Sequence, residues 1–208
     1  MMRKFLGLII KVNIIKSLFY SLKWKGIILI GHKFDLNLKK GCKIIIHKKS
    51  KLYLGVGITY SQHGCLDMYE SSTLIIHGNV SIHKACKIMI GPNATLSIGT
   101  RTYINEHSRI QCREHIEIGE RCVISWNVNI LDTDEHKIYI NNVEQPKTAP
   151  IKIGDHVWIG ANATILKGCN IKDNVIIGAN SLITKDCDSN NIYAGNPGKI
   201  IKRNSQWE

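Results

Sequence analysis

One histidine stands apart from the other eight because of its place in the chain. His136 lies in residues 131–150, which interrupt an otherwise regular repeat and also contain Asp132, Asp134 and Glu144. A histidine with its unperturbed pKa of about 6.5 can accept a proton from a hydroxyl group at neutral pH. A carboxylate can hold such a ring in one tautomer, and the sequence leaves the choice among these three open. His136 is therefore our candidate general base.

A second group of residues suits a phosphorylated carrier molecule. A hydroxyl and four cations occur over residues 184–203, namely Thr184, Lys185, Lys199, Lys202 and Arg203. Cations and hydroxyls of this kind bind phosphate groups well. Together with a general base, they match what acyl transfer from a long phosphorylated thioester requires.

A six-residue repeat is the element that must position both groups. Over residues 151–186 an isoleucine occurs at every sixth position: Ile153, Ile159, Ile165, Ile171, Ile177 and Ile183. The residues three positions later are mostly types that tolerate a left-handed backbone: His156, Asn162, Gly168, Asn174, Asn180 and Asp186. Hexapeptide repeats are the signature of a parallel β-helix, so we expect three hexads to form each triangular coil.

Stacked coils predict three columns of inward isoleucines, each followed by a corner. The columns are Ile98, Ile118, Ile153 and Ile171; Ile104, Ile124, Ile159 and Ile177; and Ile110, Ile130, Ile165 and Ile183. The corners that follow them are numbered in the same order. At corner two the chain carries Asn105-Glu106, Ser125-Trp126, Gly160-Ala161 and Gly178-Ala179. We expect a thin ligand to lie along the last four residues, and the Ala161 amide to stabilise an oxyanion.

The residues described so far lie in four sequence motifs, and the occurrence of all four in this order is specific for one protein family. They are VISWNVNILDTDEH (123–136), IGDHVWIGANATILKG (153–168), IGANSLITKD (177–186) and AGNPGKIIK (194–202). From residue 99 to residue 203 the chain closely resembles the hexapeptide-repeat O-acetyltransferases. That family includes galactoside and maltose acetyltransferases and enzymes that acetylate capsules and lipopolysaccharides. The first hundred residues resemble it only as a loose repeat.

The resemblance implies a left-handed parallel β-helix, an exception to the usual handedness of parallel connections. It implies a homotrimer with active sites between subunits, where acetyl-CoA lies along a coil edge, and His136 as the general base. It implies cofactor contacts at Ala161, Ala179, Thr184, Lys185, Lys199 and Lys202, with Asn105 holding the acceptor. Trp158 and Gly160 would shape the thioester end. Trp126 stands where sugar-specific members often have proline. The loop 137–150 also differs in sequence from that of the simple galactoside enzymes. The resemblance therefore does not identify the acceptor.

The N-terminal residues 1–25 have a different hydrophobic pattern from the rest of the chain. Apolar residues recur at helical spacing among lysines, which predicts an amphipathic helix. The segment lacks both a cleavage site and the roughly 20 uninterrupted apolar residues of a spanning helix. Two interpretations are open: the helix packs on the protein, or it lies on an anionic membrane. We expect a β-helix domain over 26–203, with 131–150 as an active-site insertion, and a tail over 204–208.

The net charge limits the classes of partner that we expect, and the cysteine content indicates the cellular compartment. Lysine and arginine number 28 against 16 acidic residues, a net charge of +12, which favours a phosphorylated cofactor, an acidic glycan or a membrane surface. The sequence has no groove-reading helix, finger or ribonucleoprotein signature, so we expect no nucleic acid partner. The seven cysteines include no C-x-x-C pair, and Cys122 and Cys169 occupy inward positions of the repeat. We therefore expect buried free thiols in the cytoplasm, at the inner face of the membrane if the helix binds there.

The sequence thus predicts an acetyl-CoA-dependent O-acetyltransferase acting on a sugar hydroxyl of a surface polysaccharide or its precursor, by direct transfer. One alternative is an N-acetyltransferase acting on an amino sugar. Another is a metalloenzyme resembling γ-type carbonic anhydrases, which needs three histidine ligands where only His136 matches; we expect no metal. A third is an inactive scaffold. The other histidines are expected to be solvated: His32, His47, His63, His77, His83, His107, His115 and His156.

Overall fold

The structure is a computed structural model that describes residues 12–56 and 62–208. Of the predicted helix over 1–25, residues 1–11 lie outside the described residues. Helix α1 (Ile14–Lys23) begins after Asn13, whose side chain accepts a hydrogen bond from the Lys16 amide at 3.0 Å. This contact satisfies one of the free amides that every helix has at its N-terminus.

Successive strands lie on three faces in turn, and strands on the same face are parallel neighbours. Face A contains β1 (Ile27–Ile30), β4 (Lys51–Leu54), β7 (Val80–Ile82), β10 (Tyr103–Ile104), β13 (Val123–Ile124), β18 (Trp158–Ile159), β21 (Ile176–Ile177), β23 (Ile192–Ala194) and the antiparallel β24 (Lys199–Lys202). Face B contains β2 (Phe34–Leu38), β5 (Gly64–Met68), β8 (Lys87–Ile90), β11 (Arg109–Cys112), β14 (Asn129–Leu131), β19 (Thr164–Leu166) and β22 (Leu182–Ile183).

Face C contains β3 (Lys43–Ile46), β6 (Thr73–Ile76), β9 (Thr95–Ile98), β12 (His115–Ile118), β17 (Ile151–Ile153) and β20 (Asn170–Ile171). A separate hairpin, β15 (Tyr139–Ile140) with β16 (Val143–Glu144), lies in the insertion at 131–150. Corner one joins face C to face A, corner two joins A to B, and corner three joins B to C. The fold is a left-handed parallel β-helix.

The strand register confirms the three predicted columns. Ile118 pairs with Ile98 and Ile153, and the other two columns pair in the same way. All of these isoleucines are at most 2% exposed. A single continuous core therefore runs through the coils, and it holds them together by apolar burial.

Left-handed turns at the corners were also predicted, and five of the six named residues have them. The φ angles are 55° at His156, 60° at Asn162, 78° at Gly168, 59° at Asn174 and 57° at Asn180. Asp186 is not among the positive-φ residues; its carboxylate instead accepts a hydrogen bond from the Asn170 amide at 2.8 Å. The regular hexads end at this point.

Each end of the β-helix is covered by a different element. Ser17 of α1 accepts a hydrogen bond from the Ile30 amide at 2.9 Å, which ties the helix to the first strand of face A. At the other end β24 pairs with β23, and Gly198 donates to the Leu182 carbonyl at 2.7 Å. Such covers prevent edge-to-edge pairing of strands. In the described ranges, no helix is both long and apolar enough to cross a membrane.

The cysteines are free thiols, and all but Cys65 are buried. Cys122 and Cys169 are at most 1% exposed, which confirms their predicted place in the core. They fill small apolar positions rather than forming disulfides.

Candidate active site

Corner two is built by the residues that directly follow the face A strands. Each main chain donates to the coil below: the Asn105 amide to Ile124 at 2.8 Å, the Ser125 amide to Ile159 at 2.9 Å, and the Gly160 amide to Ile177 at 2.8 Å. The predicted residues at this corner therefore form one continuous column, with polar side chains in the upper coils and glycines in the lower ones.

The two glycines of this column make room for the neighbouring coil. A Cβ atom at Gly160 would lie 2.7 Å from the Ala179 nitrogen, and one at Gly178 would lie 2.9 Å from the Ala194 Cβ. The sequence suggested that these glycines open the backbone to a ligand. In the structure the missing side chains allow the coils to stack closely, and the contact of these glycines with a ligand stays a prediction.

The next position along the chain presents unused hydrogen-bond donors. Within the described residues, neither the Ala161 nor the Ala179 N–H donates a hydrogen bond. The two residues lie one coil apart, linked by the Asn180 amide, which donates to the Ala161 carbonyl at 2.8 Å. Ala161 is half-buried and Ala179 is exposed. These amides form a short strip that can bind the carbonyl oxygens of an extended ligand, and we call it the amide strip.

Trp158 and His83 flank the upper part of this corner. The Trp158 Nε1–H donates to the Ser125 hydroxyl at 3.3 Å, so the indole is fixed beside the column. His83 follows β7 and lies directly above Asn105 in the same column, where its main chain donates to the Ile104 carbonyl at 2.9 Å. His83 was expected to be solvated, but it is half-buried, and burial lowers its pKa. His83 directly follows the inward Ile82, and this position in the repeat could have predicted that it belongs to corner two.

His136 sits on a loop that is tied to the body of the protein. The Asp134 amide donates to the Lys147 carbonyl at 3.0 Å, and the Asp134 carboxylate pairs with Lys167 at 2.5 Å. Next to it, Glu135 pairs with Arg113 at 2.6 Å. These contacts hold the main chain just before His136, while the His136 side chain stays exposed.

None of the three candidate carboxylates contacts the His136 ring. The fully buried Asp132 accepts hydrogen bonds from the Arg113, Glu114 and His115 amides at 2.6, 2.8 and 3.0 Å. Burial raises the pKa of Asp132, and these three hydrogen bonds act in the opposite direction. Asp134 pairs with Lys167, and Glu144 accepts from Lys137 at 3.2 Å and from Tyr139 at 3.1 Å. In the part of the chain that the structure describes, the His136 ring has no hydrogen-bond partner.

The predicted phosphate-binding residues separate into three places. Lys199 pairs with Ala194 and therefore lies at the corner-two end of β24. Lys202 pairs with Ile192, at the opposite end of the same strand. Thr184 and Lys185 follow β22 and belong to corner three. Only Lys199 adjoins the amide strip within one chain.

His136 is likewise separated from the amide strip. It follows β14 at corner three, whereas Ala161 and Ala179 lie at corner two, and face B lies between them. A strand advances about 3.3 Å per residue, so one chain does not bring the two edges together. Among the described residues, no three metal-ligating side chains gather at a point.

Comparison with known proteins now places this architecture in a family. The model for the bacterial transferase hexapeptide family (six repeats) matches residues 150–185. A putative acetyltransferase from Dictyostelium discoideum is 32% identical over 66% of this chain and 84% of its own length. The chain belongs to the hexapeptide-repeat acetyltransferases.

Two other members of the family are named for one substrate. A polysialic acid O-acetyltransferase from Escherichia coli O1:K1 / APEC is 37% identical over 64% of this chain and 41% of its own length. This chain thus spans about two fifths of that relative. The crystal structure of the polysialic acid O-acetyltransferase OatWY superimposes with a TM-score of 0.61 at 25% identity, and covers 85% of this chain and 88% of its own.

Proposed function

We propose that this protein is an acetyl-CoA-dependent O-acetyltransferase that acetylates a sugar hydroxyl of a surface polysaccharide or its precursor. Membership of the acetyltransferase family supports acetyl transfer. The observation that carries the proposal is the amide strip, because Ala161 and Ala179 offer aligned donors with no acceptor of their own among the described residues. The pantetheine arm of acetyl-CoA is long, thin and bears amide carbonyls, so it suits such a strip.

In this proposal acetyl-CoA lies along corner two with its thioester beside Ser125 and Trp158. Its phosphates then lie towards the C-terminal coils, where Lys199 adjoins the strip. Thr184 and Lys185 lie on corner three, so they would reach the same cofactor only from a neighbouring copy. Lys202 would contact its outer phosphate end. Because Lys199 lies at corner two and Thr184 and Lys185 lie at corner three, a site between subunits is what brings them to one cofactor.

Transfer then proceeds directly from acetyl-CoA to the sugar, without an acyl-enzyme. His136 accepts the hydroxyl proton as the sugar oxygen attacks the thioester carbon, and the Ala161 N–H stabilises the oxyanion that forms. When the intermediate collapses, the C–S bond breaks and the His136 imidazolium protonates the departing thiolate of CoA. Donors of this kind contribute about 10²–10³ in turnover. An acyl-cysteine is disfavoured because burial raises the pKa of Cys86 to about 12 and that of Cys122 to about 11.

A homotrimer would complete the site. Because His136 and the amide strip lie on opposite edges of face B, corner three of one copy must meet corner two of the next. The outward side chains Leu131, Leu166 and Leu182 give the lower part of face B an apolar surface that a second copy can cover. The insertion 131–150 is then the active-site loop of a single β-helix domain over 26–203.

Helix α1 provides a surface for an anionic membrane. Ile15 is 84% exposed and Leu22 is 71% exposed, and Lys16 and Lys23 lie on the same helix. An apolar stripe beside cations binds the interface of an anionic bilayer. In this proposal the enzyme works in the cytoplasm, at the inner face of the membrane, where acetyl-CoA is available.

The decisive experiment measures release of free CoA thiol from acetyl-CoA against a panel of neutral, acidic and amino sugars. Wild type is compared with His136→Ala, and with His32→Ala as a control at another exposed histidine. We expect acceptor-dependent release that falls about 10²–10⁴-fold in His136→Ala only. Release with the amino sugars alone would favour N-acetylation. The absence of acceptor-dependent release with every sugar would contradict the proposal.

A further inference from the structure

A groove on face B lies directly above the amide strip and has no role in the mechanism so far. It has a volume of about 400 Å³ and is lined by Ala85, Lys87, His107, Arg109, Asn127 and Asn129. That volume lies in the range of small-molecule sites. We call it the face B groove.

The groove is built from one stack of neighbouring coils. Lys87, Arg109 and Asn129 begin β8, β11 and β14, and Arg109 is the register partner of both others. On the corner-two side, Ala85, His107 and Asn127 have φ angles of 57°, 63° and 57°. The side chains therefore form two parallel columns, with cations in the upper coils and amides below.

The two cations of the groove lack carboxylate partners. Within the described ranges, neither Lys87 nor Arg109 forms an ion pair. The remaining residues, 1–11 and 57–61, contain no aspartate or glutamate. Two carboxylates lie nearby. Glu106 is paired with Lys84 at 3.3 Å, and Asp67, which lines a neighbouring pocket with both cations, accepts a hydrogen bond from the Asn37 side chain at 2.6 Å.

Two like charges in register are unfavourable in a sheet. Neighbouring strands lie about 4.8 Å apart, so the positive charges of Lys87 and Arg109 repel each other across the ladder. A carboxylate bound between them would remove this repulsion, and arginine can hold it through two parallel hydrogen bonds. Asn127 and Asn129 can then bind neighbouring hydroxyl groups.

The groove also has the right position for an acceptor. His107 lies two residues after Asn105 on the corner-two turn, and the Asn127 amide donates to the Glu106 carbonyl at 3.1 Å. Trp126 is 57% exposed at the boundary between the groove and the amide strip, where its indole offers a flat surface to a sugar ring. A chain of sugars in the groove would thus lead to the proposed thioester position.

We infer that the face B groove binds the carboxylate-bearing sugar units of the acceptor, with Lys87 and Arg109 as the carboxylate ligands. The inference rests on the proposed function because it takes the groove as the acceptor side of the same site. If the inference holds, the acceptor is an acidic glycan. The residues that select it are then separate from those that carry out acetyl transfer.

The test measures binding of sialic acid oligomers and uronic acid oligomers to the full chain without acetyl-CoA, using calorimetry. Methyl-esterified oligomers of both kinds provide neutral counterparts. The double variant Lys87→Gln/Arg109→Gln is compared with Lys152→Gln/Arg121→Gln, which removes the same charge from exposed positions away from the groove. We expect the groove variant to bind at least one acidic oligomer about tenfold or more weakly than wild type, and the control variant to match wild type. Arg109→Lys should lie between them.

Steady-state kinetics separate the inference from its main rival. We expect the KM for the acidic acceptor to rise in the groove variant while the KM for acetyl-CoA stays unchanged. A rise in the KM for acetyl-CoA alone would show that these cations hold CoA phosphates instead, and would overturn the inference.

Three other outcomes would also overturn it: equal losses in the groove and control variants, equal binding of neutral and acidic oligomers, or no binding of either acidic oligomer to wild type. Charge-dependent binding without any acetyl transfer would contradict the proposed function and leave the groove assignment standing. Transfer without charge-dependent binding would contradict the groove assignment alone.

Discussion

Corner one and corner two share a backbone conformation but differ in what their amides do. Each corner has a left-handed residue three positions after an inward isoleucine, with φ of 55° at His156 and 60° at Asn162. At corner one, the Glu120 amide donates to the Asp155 carboxylate and the Asp155 amide to the Asp173 carboxylate, both at 2.8 Å. At corner two, the equivalent amides of Ala161 and Ala179 have no such acceptor within the described residues.

The difference between the corners indicates that an edge can bind a ligand because it lacks side chains that would accept hydrogen bonds from its amides. Aspartate at corner one satisfies the turn amides and makes that edge structural. Alanine at corner two leaves the same amides for a ligand. The glycines serve both corners: a Cβ at Gly154 would lie 2.2 Å from the Asp173 Oδ1, and one at Gly160 would lie 2.7 Å from the Ala179 nitrogen.

The largest expected effect comes from converting corner two into corner one. Ala179→Asp should place a carboxylate where it accepts from the Ala161 amide, as Asp173 does for Asp155. We expect kcat/KM for acetyl transfer to fall about 10²–10³-fold with no loss of thermal stability. Ala179→Val adds bulk without an acceptor, so an equal loss in that variant would show that the effect is steric and would contradict our reading of the amide strip.

Mixed trimers extend this test to the proposed site between subunits. Chains with Ala179→Asp and chains with His136→Ala should each be inactive alone. Refolded together, they should regain part of the activity, because some sites then combine an intact strip with an intact histidine. Activity that stays absent after mixing, in assemblies shown by mass to contain both chains, would place both residues in one subunit's site.

A smaller effect is expected from Gly160→Ala. The added methyl group would press on the Ala179 backbone nitrogen, and overpacking of this kind costs about 1–3 kcal/mol of the free energy of unfolding. Urea denaturation measures the change. An unchanged midpoint would mean that the coils do not need glycine here, and that the residue serves the ligand instead.

Removing the corner-one acceptor should affect stability alone. Asp173→Ala leaves the Asp155 amide without its partner, and we expect a loss of about 1 kcal/mol in the free energy of unfolding. Acetyl transfer should be unaffected, because Asp173 is not among the residues of the proposed site. A parallel loss of turnover, measured on the same preparation, would break the functional contrast between the corners.

The smallest effect concerns the thiols inside the two corners. Burial raises the pKa of Cys86, near corner two, to about 12 and that of Cys122, near corner one, to about 11. Both should therefore stay unmodified by iodoacetamide at pH 8 in the folded protein, as read by peptide mass, whereas all cysteines should react in denaturant. Selective alkylation of Cys86 would show that corner two opens in solution.

The fold itself could be predicted from the sequence because the repeat is local and periodic. Each hexad places one isoleucine inward and one left-handed residue at the corner, so counting by six identified the columns that the strand pairs confirm. The insertion at 131–150 was visible for the same reason, as a break in the count. The order of the motifs identified the family.

The hydrogen-bonding partners could not be read from the sequence, because they depend on the distances between coils. Asp132 was a candidate partner of His136, but three amides from the coil above occupy it. His83 resembled any surface histidine until the longer early coils placed it over Asn105.

Periodicity therefore determined which side chains point inward, since that follows from the rise and turn of each hexad. Only the tertiary structure decided which amides remain free at corner two and which cations stand unpaired in the face B groove. Both depend on contacts between residues that are a full coil apart, and the local sequence pattern does not predict those contacts.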